Sequence, residues 1–539
     1  MREGYAVSTV KAKIDEVSAE AARRRTFAVI SHPDAGKSTL TEALAVQAAA
    51  ISTAGAVHGK GDRAGVTSDW MEMERSRGIS ITSSVLRFDY HGALFNLLDT
   101  PGHADFSEDT YRVLSAVDGA VMLLDSAKGL EAQTLKLFDV CKHGNVPIIT
   151  FVNKWDRPGR EPLELLDEIE QRIGLHAAPL NWPVGVAGDF RGLISRADGS
   201  FTKFIPAPGG GRAQAVRMSG EEAAAELGDL WETAIEELTL LTEIGAELDM
   251  EAYTAGISTP VLFGAALPQF GVSALLDSLE TYAPPPSARS DVKGEPRPVD
   301  SPFSGQVFKV QAGMDKAHRD SLAFIRVCSG RFERGMTLTM GSTGRGLVTK
   351  HAQTVFGRDR TTVDTAYPGD VIGLPNTHGL TVGESLYDGP SITYPAIPAF
   401  APEHFMVCRA KDVSKYKQFR RGIEQLDSEG AVQVLRSDVR GDQAPVLAAV
   451  GPLQFEVVAH RMENEFNSPV VLNTLDFSEC RLTDAESAAE LAKMRGVEVF
   501  NRSLTGDLVV LFTDKWRLRA IEREHPDLKI EQMLAAGQY

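Results

Sequence analysis

A polar loop suited to binding phosphate follows the short apolar run Phe27–Ile30. Gly36, Lys37 and Ser38 have the spacing that ends a phosphate-binding loop, with Ser31 in place of the pattern's first glycine. Backbone N–H groups and the following helix N-terminus bind phosphate in such loops, Lys37 would reach the β- and γ-phosphates, and Ser38 would bind Mg²⁺. The alternative is a chance turn, and the loop alone does not distinguish ATP from GTP. The predicted loop residues are Ser31, His32, Pro33, Asp34, Ala35, Gly36, Lys37 and Ser38.

A second polar loop follows the apolar run Leu94–Leu98. Asp99 ends that predicted strand and could hold Mg²⁺ through water, while the N–H of Gly102 could sense a γ-phosphate. His103 then stands where hydrolysis needs a residue that orients water. An ordinary polar loop residue is the alternative, but its place directly after Asp-Thr-Pro-Gly favours catalysis. The predicted binding residues of this loop are Asp99, Thr100, Pro101, Gly102 and His103.

The residues Asn153, Lys154, Trp155 and Asp156 follow another apolar run and predict which base is bound. A carboxylate at Asp156 can accept two hydrogen bonds from the guanine N1–H and N2 amine, which adenine does not offer. Asn153 would bond the base edge and brace the loop, and Lys154 would lie along the ring. In this order after the two phosphate loops, the motif predicts guanine.

Two weaker signals complete the predicted site. In Arg77–Ile81, the Ser80 hydroxyl could bind Mg²⁺ when a γ-phosphate is present, although an ordinary strand entry is the alternative. After Val261–Phe263, a backbone N–H at Ala265 or Ala266 could contact the guanine O6, which would explain why small residues suffice there.

The elements that must position these loops alternate between strand and helix. Residues Val10–Arg24 predict a helix from their apolar spacing and basic end. Strands separated by helices indicate a parallel sheet with helices on both faces. The predicted strands of this sheet are Phe27–Ile30, Ala93–Leu98, Gly119–Leu124 and Val146–Val152.

The chain changes character after Tyr282. We predict a GTP-binding domain over 1–283, a proline-rich linker over 284–300, a β-barrel over 301–390 with short strands and glycine turns, and an α+β domain over 391–539. About a hundred residues separate Asp156 from Gly264, more than the domain needs, so an inserted subdomain is expected at about 160–255. The predicted fold class is multidomain α/β, with a P-loop GTPase domain first.

Length and charge limit the possible classes of protein. A chain of 539 residues is too long for one hydrophobic core. The net charge of −17 argues against a general nucleic-acid coat, so DNA is not an expected partner. No apolar run could span a bilayer and no signal-peptide core precedes Arg25, so we expect a cytoplasmic protein with no membrane partner. The scattered cysteines predict buried free thiols.

Taken together, the motifs resemble those of the translational GTPases. Within that superfamily the chain is most similar to the bacterial class II peptide chain release factors, the release factor 3 family, and the similarity extends over essentially the whole chain. The stretches that carry it are Ser31–Ser38, Ser68–Glu74, Arg77–Thr82, Ser428–Val434 and Gly451–Val458.

The resemblance implies a GTPase domain, a β-barrel and a ribosome-contacting third domain, with GTP or GDP and Mg²⁺ as ligands. It assigns phosphate binding to Lys37, Mg²⁺ binding to Ser38 and Ser80, and water positioning to His103. The chain departs from the usual superfamily pattern at three positions. Ser80 replaces the usual threonine, as it does in release factor 3, Ala265 stands where serine is common, and Trp155 is unusually bulky. Trp182–Gly185 resembles part of the insertion of release factor 3 and elongation factor G.

The implied function is ribosome-stimulated GTP hydrolysis that helps class I release factors leave after peptide release, with the ribosome and those factors as partners. One alternative is another translational GTPase, such as a short relative of elongation factor G. That factor would need two further C-terminal domains, for which the chain to Tyr539 leaves no room. A scaffold that binds GTP without hydrolysing it is the other alternative, and His103 argues against it.

Overall fold

The computed structural model describes residues 15–48, 84–205, 213–312, 321–356, 359–375, 379–397, 400–437, 440–441 and 443–533. Residues 15–22 are helical, and the first strand already begins at Arg24. The predicted helix Val10–Arg24 is therefore wrong at its C-terminal end, because Arg24 is buried in the sheet rather than exposed at a helix terminus. Its first residues, 10–14, lie outside the described ranges.

A largely parallel sheet forms the first domain, as the alternation of apolar runs and helices predicts. Within the described residues it has seven strands, and only the edge strand Ser84–Tyr90 pairs antiparallel to its neighbour. In order across the sheet the strands are Ser84–Tyr90, Ala93–Asp99, Arg24–Ser31, Gly119–Asp125, Ile148–Asn153, Ser258–Phe263 and His176–Pro179.

Helices cover both faces of this sheet. The strand Gly119–Asp125 is buried along its whole length, and its neighbouring residues Val121 and Met122 belong to different hydrophobic clusters on opposite faces. Continuous apolar strands are typical of parallel sheets that are covered on both sides. The helices are Lys37–Gln47, Ser107–Leu114, Ala132–His143, Pro162–Ile173 and Val272–Tyr282, with a 3₁₀ turn at Ala104–Phe106.

A second, antiparallel sheet interrupts the first domain. Trp182 on its first strand is buried, packs edge-on against Phe263 with ring centroids 5.4 Å apart, and donates a hydrogen bond of 2.8 Å to Glu237. The insertion is thus packed against the main sheet. Its strands, in order across the sheet, are Gln214–Met218, Phe201–Ile205, Gly192–Ser195 and Asn181–Val184, and its helices are Gly220–Leu227, Asp229–Glu243 and Met250–Thr254.

Short antiparallel strands follow, after a small hairpin in which Arg289–Ser290 pairs with Pro296–Arg297. This barrel domain encloses its own hydrophobic core around Val307, Ile325 and Ile372. The large sheet runs Gly346–Val348, Thr337–Met340, Ser385–Tyr387, Ser304–Ala312, Ser321–Ser329, Val371–Pro375, Gln353–Phe356 and Asp359–Thr362, and Phe332–Glu333 pairs separately with Thr365–Ala366.

The C-terminal domain combines an antiparallel sheet with helices. Separate apolar clusters lie on the two faces of the sheet, so that Phe405 and Cys408 of one strand belong to different cores. The sheet runs Val470–Thr474, His404–Ala410, Val446–Ala449, Gln433–Arg436, Val497–Arg502, Leu508–Phe512, Glu479–Thr483 and Glu531–Gln532. The helices are Tyr416–Ser428, Leu453–Asn464, Ala485–Leu491 and Lys515–Glu524, with a 3₁₀ turn at Val413–Lys415.

The cysteine prediction is confirmed, since all of Cys141, Cys328, Cys408 and Cys480 are buried and free. None of the helices in the described ranges combines the length and the apolar character that crossing a membrane requires.

Buried ion pairs join the first domain to the barrel domain. Arg24 pairs with Asp370 at 2.9 Å, and Asp118 pairs with Arg326 at 2.5 Å. Arg326 and Asp370 are almost completely buried. Because a buried charge without its partner is costly, these pairs hold the two domains in one relative position.

The backbone carbonyl of Gly369 lies at the centre of this junction. It accepts hydrogen bonds from Thr26 at 2.7 Å and Asn96 at 3.1 Å in the first domain, and from Arg326 at 2.9 Å in the barrel. The φ of Gly369 is +102°, and a Cβ atom there would lie 2.6 Å from Pro286. Only glycine therefore suits this turn.

Replacing Asp118 tests the junction. Asp118→Asn should lower the free energy of unfolding by about 3–5 kcal/mol, because the buried Arg326 guanidinium loses its countercharge. The measurement is chemical denaturation followed by circular dichroism. As a matched control, Glu424→Gln breaks the exposed pair between Arg420 and Glu424 and should cost less than about 1 kcal/mol. Equal stability losses in both variants would contradict a structural role for the buried pair.

Candidate guanine-nucleotide site

The predicted site loops meet at one edge of the main sheet because their strands run parallel. The register pairs Val29 with Asp99 and Asp125 with Asn153, so these strands end at nearly the same level. The strand Ser258–Phe263 ends close to this level, because its last residue, Phe263, pairs with Val152. The carboxyl edge of a parallel sheet is where ligands of this fold bind.

The phosphate loop connects the first strand to the helix Lys37–Gln47. Gly36 caps that helix with a φ of +98°, and its carbonyl accepts the N–H of Leu40 at 2.8 Å. A Cβ atom on Gly36 would lie 2.6 Å from the amide nitrogen of Asn153. Asp34 also has a positive φ, of 67°. The helix N-terminus thus opens towards the loop, as anion binding requires.

Lys37 forms a buried ion pair with Asp99, with Nζ and Oδ1 2.5 Å apart. The other oxygen of Asp99, Oδ2, is buried and accepts no hydrogen bond from the residues that the structure describes. Thr100 donates from Oγ1 to the Val29 carbonyl at 2.7 Å and so ties the second loop to the first strand. The site therefore holds, beside a buried lysine, a carboxylate oxygen that can still accept a hydrogen bond or bind a cation.

Asn153 links two loops through its side-chain amide. Its Nδ2 donates to the Ala35 carbonyl at 2.8 Å, and its Oδ1 accepts the N–H of Ala266 at 2.8 Å. Asn153 is 2% exposed. Asn153 thus braces the loops, as the sequence predicts. Its contact with the edge of the base stays a prediction.

Lys154 has a left-handed backbone conformation, with a φ of 67°. Its Nζ donates to the Asp34 carbonyl at 2.5 Å and to Oδ2 of Asp125 at 2.8 Å. Burial opposes charge on Asp125, but hydrogen bonds from Lys154 and from the Ala127 N–H bring the pKa of that carboxyl below its usual value. The lysine is therefore held by a carboxylate.

Sequence reasoning missed Asp125. The available signal was its position, because Asp125 follows the apolar strand Gly119–Leu124 just as Asp99 follows Leu94–Leu98. Both carboxylates consequently reach the same edge of the sheet, and each pairs with a lysine of another loop.

The loop that follows the strand Ile148–Asn153 is supported by the buried side chain of Trp155. This side chain is fully buried, packs edge-on against Phe263 with ring centroids 5.1 Å apart, and its backbone N–H donates to Gly264 at 3.1 Å. Asp156, the next residue, keeps its carboxylate partly exposed at 27%. Trp155 thus fixes the turn while Asp156 faces outwards.

The loop with Ala265 and Ala266 is braced by its backbone. Ala265 and Phe270 exchange two hydrogen bonds of 2.9 Å, and the N–H of Ala266 is held by Asn153. Both alanines are buried. This loop is therefore held without a side-chain hydroxyl at Ala265.

Two histidines lie at the site in different environments. His32 is buried 3.3 Å from Glu131, and burial lowers the pKa of its imidazole. His103 is 37% exposed, and its Nδ1 lies 3.2 Å from both the backbone N and Oδ1 of Asp105. Of the two, only His103 combines access to solvent with a fixed ring nitrogen.

The structure thus brings together Lys37, Asp99, Asn153, Lys154 and Ala266. Gly102 adjoins the phosphate loop, since a Cβ atom on it would lie 3.8 Å from the Pro33 Cα. Ser38 is half-buried in the first helical turn. Ser80, with the whole stretch Arg77–Ile81, lies outside the described residues.

Three family models match successive parts of the chain. Residues 22–285 match the family model "Elongation factor Tu GTP binding domain", residues 302–389 match "Elongation factor G domain 2", and residues 394–522 match "Class II release factor RF3, C-terminal domain". Peptide chain release factor 3 of Synechococcus elongatus is 48% identical, with 97% of this chain and 95% of that protein covered. The chain belongs to the release factor 3 family.

Other members of the release factor 3 family align equally fully. Peptide chain release factor 3 of Gloeobacter violaceus is 45% identical over 96% of this chain and 98% of its own length. A crystal structure of a protein from Thermus thermophilus matches with a TM-score of 0.67 at 20% identity, covering 90% of this chain and 71% of that chain, which supports the fold alone. The predicted fold class is confirmed, and the chain is a GTP-hydrolysing translation factor of termination.

The bridge made by Asn153 yields a testable expectation. Asn153→Ala should weaken binding of both GTP and GDP, because it frees the phosphate loop and leaves the buried Ala35 carbonyl and Ala266 N–H unpaired, at about 1–3 kcal/mol each. Equilibrium titration with both nucleotides measures the effect. Asn96→Ala is the matched control, since Asn96 is equally buried but bonds Gly369 at the barrel junction. Unchanged nucleotide affinity in Asn153→Ala would show that the bridge is not needed.

Proposed function

We propose that the chain couples ribosome-stimulated GTP hydrolysis to the departure of class I release factors after peptide release. The observation that carries this proposal is the 48% sequence identity, over 97% of this chain, to a protein named peptide chain release factor 3. The match includes the C-terminal domain described for that family. With the ribosome as partner, the proposed compartment is the cytoplasm. The neighbouring possibilities, a shortened elongation factor G relative or a non-hydrolysing scaffold, have no comparable observation in their favour.

Recognition of guanine is assigned to the loop after the strand Ile148–Asn153. Asp156 would accept hydrogen bonds from the guanine N1–H and N2 amine, Lys154 would lie along the ring, and a backbone N–H at Ala265 or Ala266 would bond the O6. The support is geometric, because Asn153 holds this loop, the phosphate loop and the Ala266 loop together.

Phosphate binding is assigned to the loop Ser31–Ser38. The Lys37 ammonium now forms a buried ion pair with Asp99. A bound phosphate group would compete with Asp99 for that ammonium. In the same loop, the N–H groups ahead of the helix would bind phosphate oxygens without any side-chain charge. The site therefore combines one cation with a set of oriented dipoles.

Mg²⁺ fits the oxygen atoms at this edge of the sheet. Ser38 offers a hydroxyl, and Asp99 offers Oδ2, which is buried without a hydrogen-bond partner among the described residues. Oxygen ligands of this kind are those that Mg²⁺ prefers, usually with several waters retained. Ser80 is the third proposed ligand. When bound, the ion would neutralise charge on the β- and γ-phosphates.

Hydrolysis is assigned to His103, which would orient the attacking water in the transition state rather than hold the ground-state nucleotide. The N–H of Gly102 would sense the γ-phosphate. Their support is the position of this loop, tied to the first strand through Thr100 and next to Pro33 of the phosphate loop.

The effect on termination would be a population shift. Loops ordered by the γ-phosphate would bind a ribosome conformation that holds a class I release factor poorly. A coupling of about 1–3 kcal/mol changes the residence time by roughly five- to 150-fold.

The base assignment has a direct test. Asp156→Asn should weaken GTP binding by about 2–4 kcal/mol and favour xanthosine triphosphate, because an amide can donate to the xanthine 2-oxo group. Affinities for both nucleotides are measured by titration. Asp167→Asn, which changes an exposed acid on a helix, serves as the control and should leave both affinities unchanged. If Asp156→Asn binds GTP as tightly as the unaltered protein, Asp156 does not read the base.

The biological step is tested on termination complexes that have released their peptide. A labelled class I release factor should dissociate faster with this protein and GTP than with this protein and GDP or without it. His103→Ala should bind GTP normally and hydrolyse it about 10²–10⁴-fold more slowly. An unchanged dissociation rate in all arms, beside normal ribosome-stimulated hydrolysis, would leave the GTPase assignment intact and refute the proposed role in release-factor departure.

A further inference from the structure

Two C-terminal stretches that the nucleotide site does not use contact the segment that follows His103. These stretches are Ser428–Val434 and Gly451–Val458. The segment, Ala104–Leu114, comprises a 3₁₀ turn and a helix of the first domain. We call it the catalytic-loop helix.

Asp105 forms the closest of these contacts. Its Oδ2 accepts the backbone N–H of Leu453 at 2.7 Å. Leu453 is the first residue of the helix Leu453–Asn464, where N–H groups have no partner within the helix. The carboxylate of one domain therefore caps a helix of the other.

Gly451 makes this close approach possible. A Cβ atom at Gly451 would lie 2.1 Å from the Asp105 Cγ and 2.4 Å from each carboxylate oxygen. Its φ lies outside the left-handed region, so the backbone conformation does not call for glycine. The glycine is needed because Asp105 occupies the space of a side chain.

The other oxygen of Asp105 faces the proposed catalytic residue. Asp105 Oδ1 and the Asp105 backbone N each lie 3.2 Å from Nδ1 of His103. With a proton on Nδ1 the ring donates to Oδ1, and without one it accepts the Asp105 N–H. The ring of Phe106 packs edge-on against the imidazole, with ring centroids 6.3 Å apart, and offers it no hydrogen bond. Asp105 therefore supplies the polar contacts that orient this partly exposed imidazole.

A second anchor holds the other end of the catalytic-loop helix. Arg112 donates to the Glu429 carbonyl at 3.3 Å and pairs with Glu108 at 2.5 Å. Its guanidinium lies against Gly430, where a Cβ atom would be 2.1 Å from Nη1. Arg461 in turn holds the Glu429 carboxylate at 2.7 Å.

Gln454 joins the two C-terminal stretches into one surface. Its Oε1 accepts the N–H groups of Val450 and Gly451 at 2.8 and 3.2 Å, and its Nε2 donates to the Ala431 carbonyl at 2.9 Å. The glycines that receive Asp105 and Arg112 are therefore fixed relative to each other.

We infer that Asp105 is a positioning residue through which the C-terminal domain controls hydrolysis. When the domain is docked, Leu453 fixes one carboxylate oxygen, and the other oxygen then accepts a hydrogen bond from His103 in the tautomer that carries its proton on Nδ1. Displacing the C-terminal domain would release Asp105 and let the imidazole turn. The inference rests on the proposed role of His103 in hydrolysis.

The test separates binding from turnover in the full-length protein. Asp105→Ala should keep the Kd for GTP and the KM within about twofold, while ribosome-stimulated kcat falls by about 10- to 100-fold, as expected when a catalytic group is misplaced. Asp105→Asn keeps an oxygen for the Leu453 N–H and should show an intermediate kcat. Circular dichroism melting shows whether each variant is folded.

Gly451→Ala tests the interdomain half of the inference. Its methyl group would displace Asp105 and should lower kcat, whereas the control Gly220→Ala, whose Cβ would lie an ordinary 3.4 Å from Trp231, should not. In the double variant the methyl group meets no carboxylate, so kcat should fall no further than in Asp105→Ala.

The outcomes distinguish this inference from the proposed function. Normal kcat in folded Asp105→Ala, or fully additive losses in the double variant, would overturn the inference while ribosome stimulation of the unaltered protein leaves the proposed function standing. No ribosome stimulation of the unaltered protein would overturn the proposed function and the inference with it. Normal turnover by His103→Ala would overturn the proposed role of His103, and therefore the inference, while the proposed function stands.

Discussion

Parallel pairing of the central strands is the constraint on which the proposed nucleotide site depends. It brings residues that are distant in the chain, such as Lys37, Asp99 and Asn153, to one edge of one sheet. The charges of Lys37 and Asp99 are buried at that edge, and each needs a partner from another strand, loop or helix. The ion pair of Lys37 and the amide bridge of Asn153 satisfy this requirement and at the same time fix the spacing of the loops.

The same physical rule connects the domains. The first domain meets the barrel through buried charges at Asp118 and Asp370, and it meets the C-terminal domain through Asp105 and Arg112. Such contacts are specific in direction, unlike apolar packing, because a displaced hydrogen bond leaves a buried polar group unpaired. They therefore set how the domains are oriented around the proposed catalytic loop.

The main strands and loops could be predicted because apolar runs and loop motifs are each contained within a short stretch of sequence. The strand Ala93–Asp99 differs from its prediction by one residue. Pairings across the chain had no such signal, as with Asp105 and Leu453, which are 348 residues apart. The predicted helix end at Arg24 failed for the same reason, since that arginine is drawn into the sheet by Asp370.

The insertion helps to support the loop that contains Trp155. Trp155 in the proposed base-recognition loop packs against Phe263, which also packs against Trp182 of the insertion, and the carbonyl of Trp155 accepts the N–H of Gly188 at 3.1 Å. One aromatic cluster thus connects the proposed base-recognition loop to the insertion. A minimal domain made by excising the insertion would therefore lose Trp182 and Gly188, two of the contacts that support the loop containing Trp155.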